Sequence, residues 1–149
     1  MKPGRRIGFD YGDTRIGVAV TDASGLLASP IPYLLNESGN SVEKLQELFD
    51  EFSPIYIALG FPLHLSGSES AKSESVLAFA ETISTLTNKP IYLIDERMTT
   101  VSASRTLRES GKNAKNAKES IDSASAVAIL ESALNQERLQ GEPMNRYGK

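Results

Sequence analysis

The sequence predicts an α/β fold built on a mixed sheet with helices on both faces. Three observations carry this expectation. Residues 6–35 read as strands with apolar residues at every second position. The pattern switches to helical spacing after Asn36. Short apolar runs then alternate with amphipathic helices, which implies strands joined by crossover helices.

Arg6–Tyr11 reads as the first strand, with Ile7 and Phe9 on one face and Gly8 and Asp10 on the other. Gly12-Asp13 signals a tight turn. Arg15–Thr21 sets Ile16, Val18 and Val20 against Gly17 and Ala19, a second strand antiparallel to the first. Leu26–Leu35 reads as a third strand, and Pro30 and Pro32 suit a sheet edge. Val42, Leu45, Leu48, Phe49 and Phe52 then recur at helical spacing behind a Ser41 cap.

Ile55–Leu59 is a short apolar strand ending at Gly60, and Phe61–Ser70 reads as a loop. Ala71–Leu86 is an amphipathic helix and Ile91–Ile94 a buried strand ending at Asp95-Glu96. Thr100–Glu109 reads as a helix, followed by a basic loop with Gly111, and Ile121–Gln136 as a long apolar helix. No repeat or linker divides the chain. Residues 1–140 are expected as one domain and 141–149 as a frayed tail.

Composition narrows the chemistry. With no cysteine and only His64, thiolate catalysis, disulfides and multi-histidine metal sites are excluded. A metal would be held by oxygen, which favours hard cations such as Mg²⁺ or Mn²⁺. The net charge is −3, yet Arg97, Arg105, Arg108, Lys112, Lys115 and Lys118 face only Glu109 within their segment, a local +5. The N-terminus lacks a signal-peptide pattern, and no run of about 18 apolar residues offers a membrane span. The expectation is a cytoplasmic protein without membrane contact.

Three acidic features stand out. Asp10 shares a strand face with Gly8 and Gly12; it either starts a hairpin turn or presents a carboxylate open to a large ligand. Asp95 and Glu96 end an apolar strand, where α/β sheets place their ligands, and alternation sends them to opposite faces. The alternative is a helix cap near Thr99-Thr100. Asp122 opens the last apolar helix, as a cap or as a third acid. Three acids converging on one end of the sheet would repel unless cations neutralise them. A pair of divalent ions about 3.5–4 Å apart could then activate water against a phosphodiester.

Four motifs, in order from about Arg5 to Leu134, resemble the YqgF family, pre-16S rRNA nucleases once called Holliday-junction-resolvase-like proteins. They are the run from Gly8 to Ala19, Leu59-Gly60-Phe61-Pro62 with Ser66-Gly67, Asp95 to Thr100, and Ile121 to Ala126 with Ile129-Leu130. Ser125 stands where the family usually has alanine. The resemblance implies a ribonuclease-H-like three-layer α/β/α fold with a five-stranded mixed sheet. It also implies Mg²⁺- or Mn²⁺-dependent cleavage of pre-rRNA, in maturing the 5′ end of small-subunit ribosomal RNA, and a small-subunit precursor as partner. It places the catalytic and metal-holding acids at Asp10, Glu96 and Asp122.

Substrate contacts are expected at Arg15, Arg97, Lys112, Lys115 and Lys118. Arg15 holds a phosphate or pairs with a site acid, and Arg97 divides between those same roles. The three lysines follow a nucleic-acid backbone or form a solvated loop. Competing readings are a non-catalytic RNA-binding assembly factor, a Holliday junction resolvase and a fragment of an actin-like ATPase. The ATPase needs two domains closing over its nucleotide. A resolvase would act as a dimer on a two-fold substrate, and no dimer helix can be read here.

Overall fold

The computed structural model describes residues 2–37, 41–62, 67–95 and 114–148, with backbone alone for 67–70 and 114–122. In chain order the elements are β1 (Arg6–Tyr11), β2 (Arg15–Thr21), β3 (Ala28–Leu35), α1 (Ser41–Phe52), β4 (Tyr56–Phe61), α2 (Gly67–Leu86), β5 (Ile91–Asp95) and α3 (Ala114–Gln140). The strands lie in the order β3-β2-β1-β4-β5. The first three form an antiparallel meander, while β4 and β5 run parallel to β1. This is the mixed five-stranded sheet the sequence predicts.

The β1–β2 turn needs its glycine. The Gly12 amide donates to the Arg15 carbonyl at 2.9 Å, and a Cβ on Gly12 would lie 2.6 Å from that oxygen. Alternation then sorts the two faces. Ile7, Phe9, Ile16, Val18, Ile57, Leu59 and Ile91 meet Leu45 and Phe49 of α1 and Val76, Phe79 and Ile83 of α2. Phe9 stands edge-on to Phe79, with ring centroids 5.5 Å apart. On the other face Ala19, Ala58, Tyr92 and Ile94 meet Ala126, Val127, Ile129, Leu130 and Ala133 of α3. Small residues on that face let the helix approach the sheet closely.

Two contacts fix the direction of α3. Near its end, Glu137 accepts a hydrogen bond at 2.7 Å from Arg6, which is fully buried at the start of β1. One Arg6 nitrogen also donates to the Gly4 carbonyl at 2.5 Å, the other to the Lys2 carbonyl at 2.8 Å, and the Tyr56 hydroxyl reaches Glu137 at 2.9 Å. Further up, Gly8 faces Ala126 and Leu130. The helix therefore runs antiparallel to β1.

Two helices start earlier than expected. Helix α2 starts at Gly67 rather than Ala71, and α3 starts at Ala114 rather than Ile121. The first turns of α3 are alanine, lysine and asparagine without apolar periodicity. They extend a helix already secured by its buried half. The predicted helix over 100–109 lies outside the described residues.

The tail from Gly141 is not frayed. The Leu93 amide donates to the Asn145 carbonyl at 2.9 Å, and the Tyr147 amide to the Ile91 carbonyl at 2.7 Å. Pro143 is buried and Tyr147 packs against the core. The outer edge of β5 carries backbone groups that need partners, and the tail supplies them.

Candidate active site

Asp10 occupies the carboxyl end of β1, on the face covered by α3. It is half-buried, and its Cα partner on β2 is Gly17. On the other side Phe9 pairs with Leu59, which sets Gly60 of β4 level with Asp10, and Gly60 pairs with Ile94 of β5. The carboxylate is thus framed on both neighbouring strands by residues without side chains. Strands β1, β4 and β5 finish level, at Tyr11, Phe61 and Asp95. A shared carboxyl edge of this kind is where open α/β sheets bind ligands.

Helix α3 approaches the same edge. Asp122 lies one helical turn before Ala126, a rise of about 6 Å, and Ala126 contacts Gly8. Asp10 lies two residues beyond Gly8, about 6.6 Å along β1. The antiparallel run of the helix carries the backbone at 122 toward the end of β1 that bears Asp10. Ser123 secures this part of the helix: it is buried, and its hydroxyl donates to the Ile31 carbonyl of β3 at 2.8 Å.

The sequence expectations fare unevenly here. Glu96, Arg97 and Lys112 lie outside the described residues, and Asp122, Lys115 and Lys118 are described by backbone alone. Among residues described with side chains, no cluster of three potential metal ligands occurs. Asp122 does not cap α3, because the helix begins at Ala114. Lys115 and Lys118 belong to the first turns of that helix rather than to a loop. The bareness of Gly8 serves the helix and not a ligand: a Cβ there would lie 2.9 Å from the Leu130 Cβ and 3.1 Å from the Ala126 carbonyl oxygen.

Arg15 is half-buried at the start of β2, and its guanidinium carbon lies 4.9 Å from the centroid of the Tyr33 ring on β3. It has the parity of Gly17, the partner of Asp10. Nothing in the sequence singled out Tyr33, since its position depends on an irregular pairing between β2 and β3.

The family model described as "RuvX: Holliday junction resolvase" matches residues 4–136. The chain belongs to the RuvX family. This RuvX chain is 42% identical over 144 residues to a Streptomyces avermitilis protein named "Putative pre-16S rRNA nuclease", covering 95% of this chain and 92% of the relative. A Streptomyces coelicolor protein of the same name is 40% identical over 145 residues, covering 96% and 87%. Among solved structures, Thermus thermophilus RuvC in complex with a Holliday junction substrate superposes with a TM-score of 0.61 at 14% identity, covering 93% of this chain and 98% of that one. The fowlpox virus Holliday junction resolvase gives 0.56 at 12% identity, covering 89% and 99%. These likenesses establish the ribonuclease-H-like fold.

That fold suggests use of a divalent metal, and Asp10 is of the donor type such an ion takes. The Asp10 carboxylate is a hard oxygen donor, and its neighbours on the two adjoining strands, Gly17 and Gly60, carry no side chains.

Proposed function

We propose that this RuvX protein is a divalent-metal-dependent endonuclease that hydrolyses phosphodiester bonds in precursor ribosomal RNA, at the 5′ end of the small-subunit species. The observation that carries the reading is the position of Asp10, framed by Gly17 and Gly60 at the end of the sheet where the first half of α3 lies. The family membership and the names of the relatives support the coarser statement, a nuclease of the hydrolase class. The rRNA substrate rests on those names and on the sequence motifs.

In this reading Asp10, Glu96 and Asp122 hold Mg²⁺ or Mn²⁺. Tyr92 and Ile94 of β5 both pack on the α3 face, the face of Asp10. The bound metal supplies positive charge for the attacked phosphate and lowers the pKa of water. The chain's own residues supply anchorage. Asp10 fixes one end of the site to the middle strand of the sheet, which cannot shift without disturbing both cores. Arg15 offers a planar fork of donors to phosphate oxygens. Arg97, Lys112, Lys115 and Lys118 add charge along the path of the strand.

The test compares wild type, Asp10→Asn and Asp122→Asn on single-stranded RNA and on a four-way DNA junction, with Mg²⁺, Mn²⁺ or chelator. Metal-dependent cleavage of RNA by wild type, lost in both folded variants, is the expected result. RNA binding without cleavage by any of the three would make the protein an assembly factor. Cleavage of the junction alone would make it a resolvase.

A further inference from the structure

Strand β3 breaks its own alternation at one place. Ile31 pairs with Val18 and Leu34 with Ile16, so two residues of β3, Pro32 and Tyr33, stand against the single Gly17 of β2. Ile31 and Leu34 nevertheless both pack against the core under α1 and α2, although three positions separate them. The extra residue is a β-bulge, a device that re-aims a side chain next to a functional site. Here it turns Tyr33 toward Arg15, and the guanidinium lies over its ring at 4.9 Å. The bulge stands opposite Gly17, the strand partner of Asp10. Arg15 is two residues along β2 from Gly17, which places its Cα about 8 Å from that of Asp10 across one strand spacing.

We propose that Tyr33 is a positioning residue for substrate: it holds the Arg15 guanidinium flat at the margin of the site, where it grips a phosphate of the nucleic-acid strand next to the one cleaved. This rests on the nuclease reading above. The chemistry is that of a pre-organised fork. A lone arginine on a strand end samples many rotamers, and each loses binding when it is immobilised. An aromatic face fixes the plane of the guanidinium by cation–π attraction and leaves its edge N–H groups directed outward. Arg15 has five such donors, so one further contact within the protein leaves others for a phosphate. The hydrogen bond from Ser123 to the Ile31 carbonyl fastens the bulge to α3, the helix that bears Asp122.

The experiment measures steady-state cleavage and fluorescence-anisotropy binding of one single-stranded RNA oligonucleotide with Tyr33→Leu, Tyr33→Phe, Arg15→Gln and the Tyr33→Leu/Arg15→Gln double variant. Tyr33→Leu is expected to raise KM about two- to five-fold with kcat kept, the size of one exposed cation–π contact. Arg15→Gln is expected to raise KM about ten-fold and to reduce the salt slope of binding by about 0.7, one single-strand phosphate. Tyr33→Phe keeps the ring and recovers binding to within about two-fold. Leucine at 33 should add nothing once Arg15 is gone. A structural role for the ring would instead add in full to the Arg15→Gln loss, or would lower kcat and melting temperature without moving KM. Either result overturns the proposal, as does a Tyr33→Leu enzyme that matches wild type. Those outcomes leave the nuclease reading intact. That reading falls separately if wild type neither binds nor cleaves the RNA, and the proposal then falls with it.

Discussion

Gly8 of β1 and Leu130 of α3 meet so closely that a Cβ added to the glycine would lie 2.9 Å from the leucine Cβ. The helix thus rests on bare backbone in the middle of the sheet. Gly8→Ala forces α3 outward, and overpacking of this kind costs about 1–3 kcal/mol. Urea denaturation should show a lower midpoint with an unchanged slope. A wild-type midpoint would mean that α3 can slide without cost.

Asp10→Asn keeps the shape of the side chain and removes the charge that, in the proposed function, holds Mg²⁺. Cleavage should slow by about 100-fold or more, a loss of roughly 3 kcal/mol of transition-state stabilisation. The fold should persist, because in the proposed site the change removes one of three acids and relieves repulsion. Single-turnover cleavage beside a thermal melt checks both halves of the statement.

Glu137→Ala should be among the most damaging changes far from the site. It strips Arg6 of its carboxylate while the guanidinium stays fully buried. Breaking a buried pair from one side costs about 3–5 kcal/mol. The Tyr56 hydroxyl loses its partner too. Denaturant unfolding reads the loss directly, and a change below about 1 kcal/mol would mean that water reaches Arg6 and replaces the carboxylate.

Asp22 organises the turn between β2 and β3. The Ser24 hydroxyl, then the Leu27 and Leu26 amides, hold its carboxyl at about 2, against an ordinary 3.8. A carboxylate depressed in the folded state contributes stability above its unfolded pKa, and the contribution fades as pH falls through the folded one. The window therefore runs from 3.8 down to about 2. Asp22→Asn should flatten the acid limb of the stability profile over that range. A carbon-detected NMR titration should place the Asp22 midpoint near 2, and a midpoint at the ordinary value would show that the turn is open in solution.

The phenol of Tyr92 is pushed up to about 12, first by burial and then by its hydrogen bond to Glu142 in the tail. Removing residues 142–149 should bring its spectrophotometric titration back toward 10.0. The Leu93 amide loses the Asn145 carbonyl in the same truncation, so its hydrogen exchange should accelerate. Unchanged exchange would mean that the tail contributes nothing to holding β5.

The contrast between these residues explains what could be read from sequence. Strands β1 and β2 emerge with their observed limits because alternation and the Gly12 turn are local signals. The place of Asp10 near the end of β1, on the face of Gly8, is legible for the same reason. The Arg6–Glu137 pair joins residues 131 positions apart, and nothing local marks either as buried. The placement of Tyr33 depends on how β3 registers against β2, a property of two strands rather than one. Gly8 reads in the sequence as bare backbone beside a carboxylate open to a ligand, but the group that approaches it is a helix. The tail is polar and short of apolar periodicity, so its attachment to β5 through backbone hydrogen bonds leaves no mark in side-chain pattern.

That attachment has a consequence for self-association. A sheet in solution normally has two margins at which a foreign strand can add. At one margin, residues 145 and 147 already occupy backbone partners on β5. At the other, Pro30 and Pro32 leave β3 without two of the amides that a visiting strand would need. Strand-by-strand growth is therefore obstructed at both ends of the order β3-β2-β1-β4-β5. A second copy of this chain would have to approach through its helices or loops, and a fibre built by sheet extension would first have to peel the C-terminal residues away.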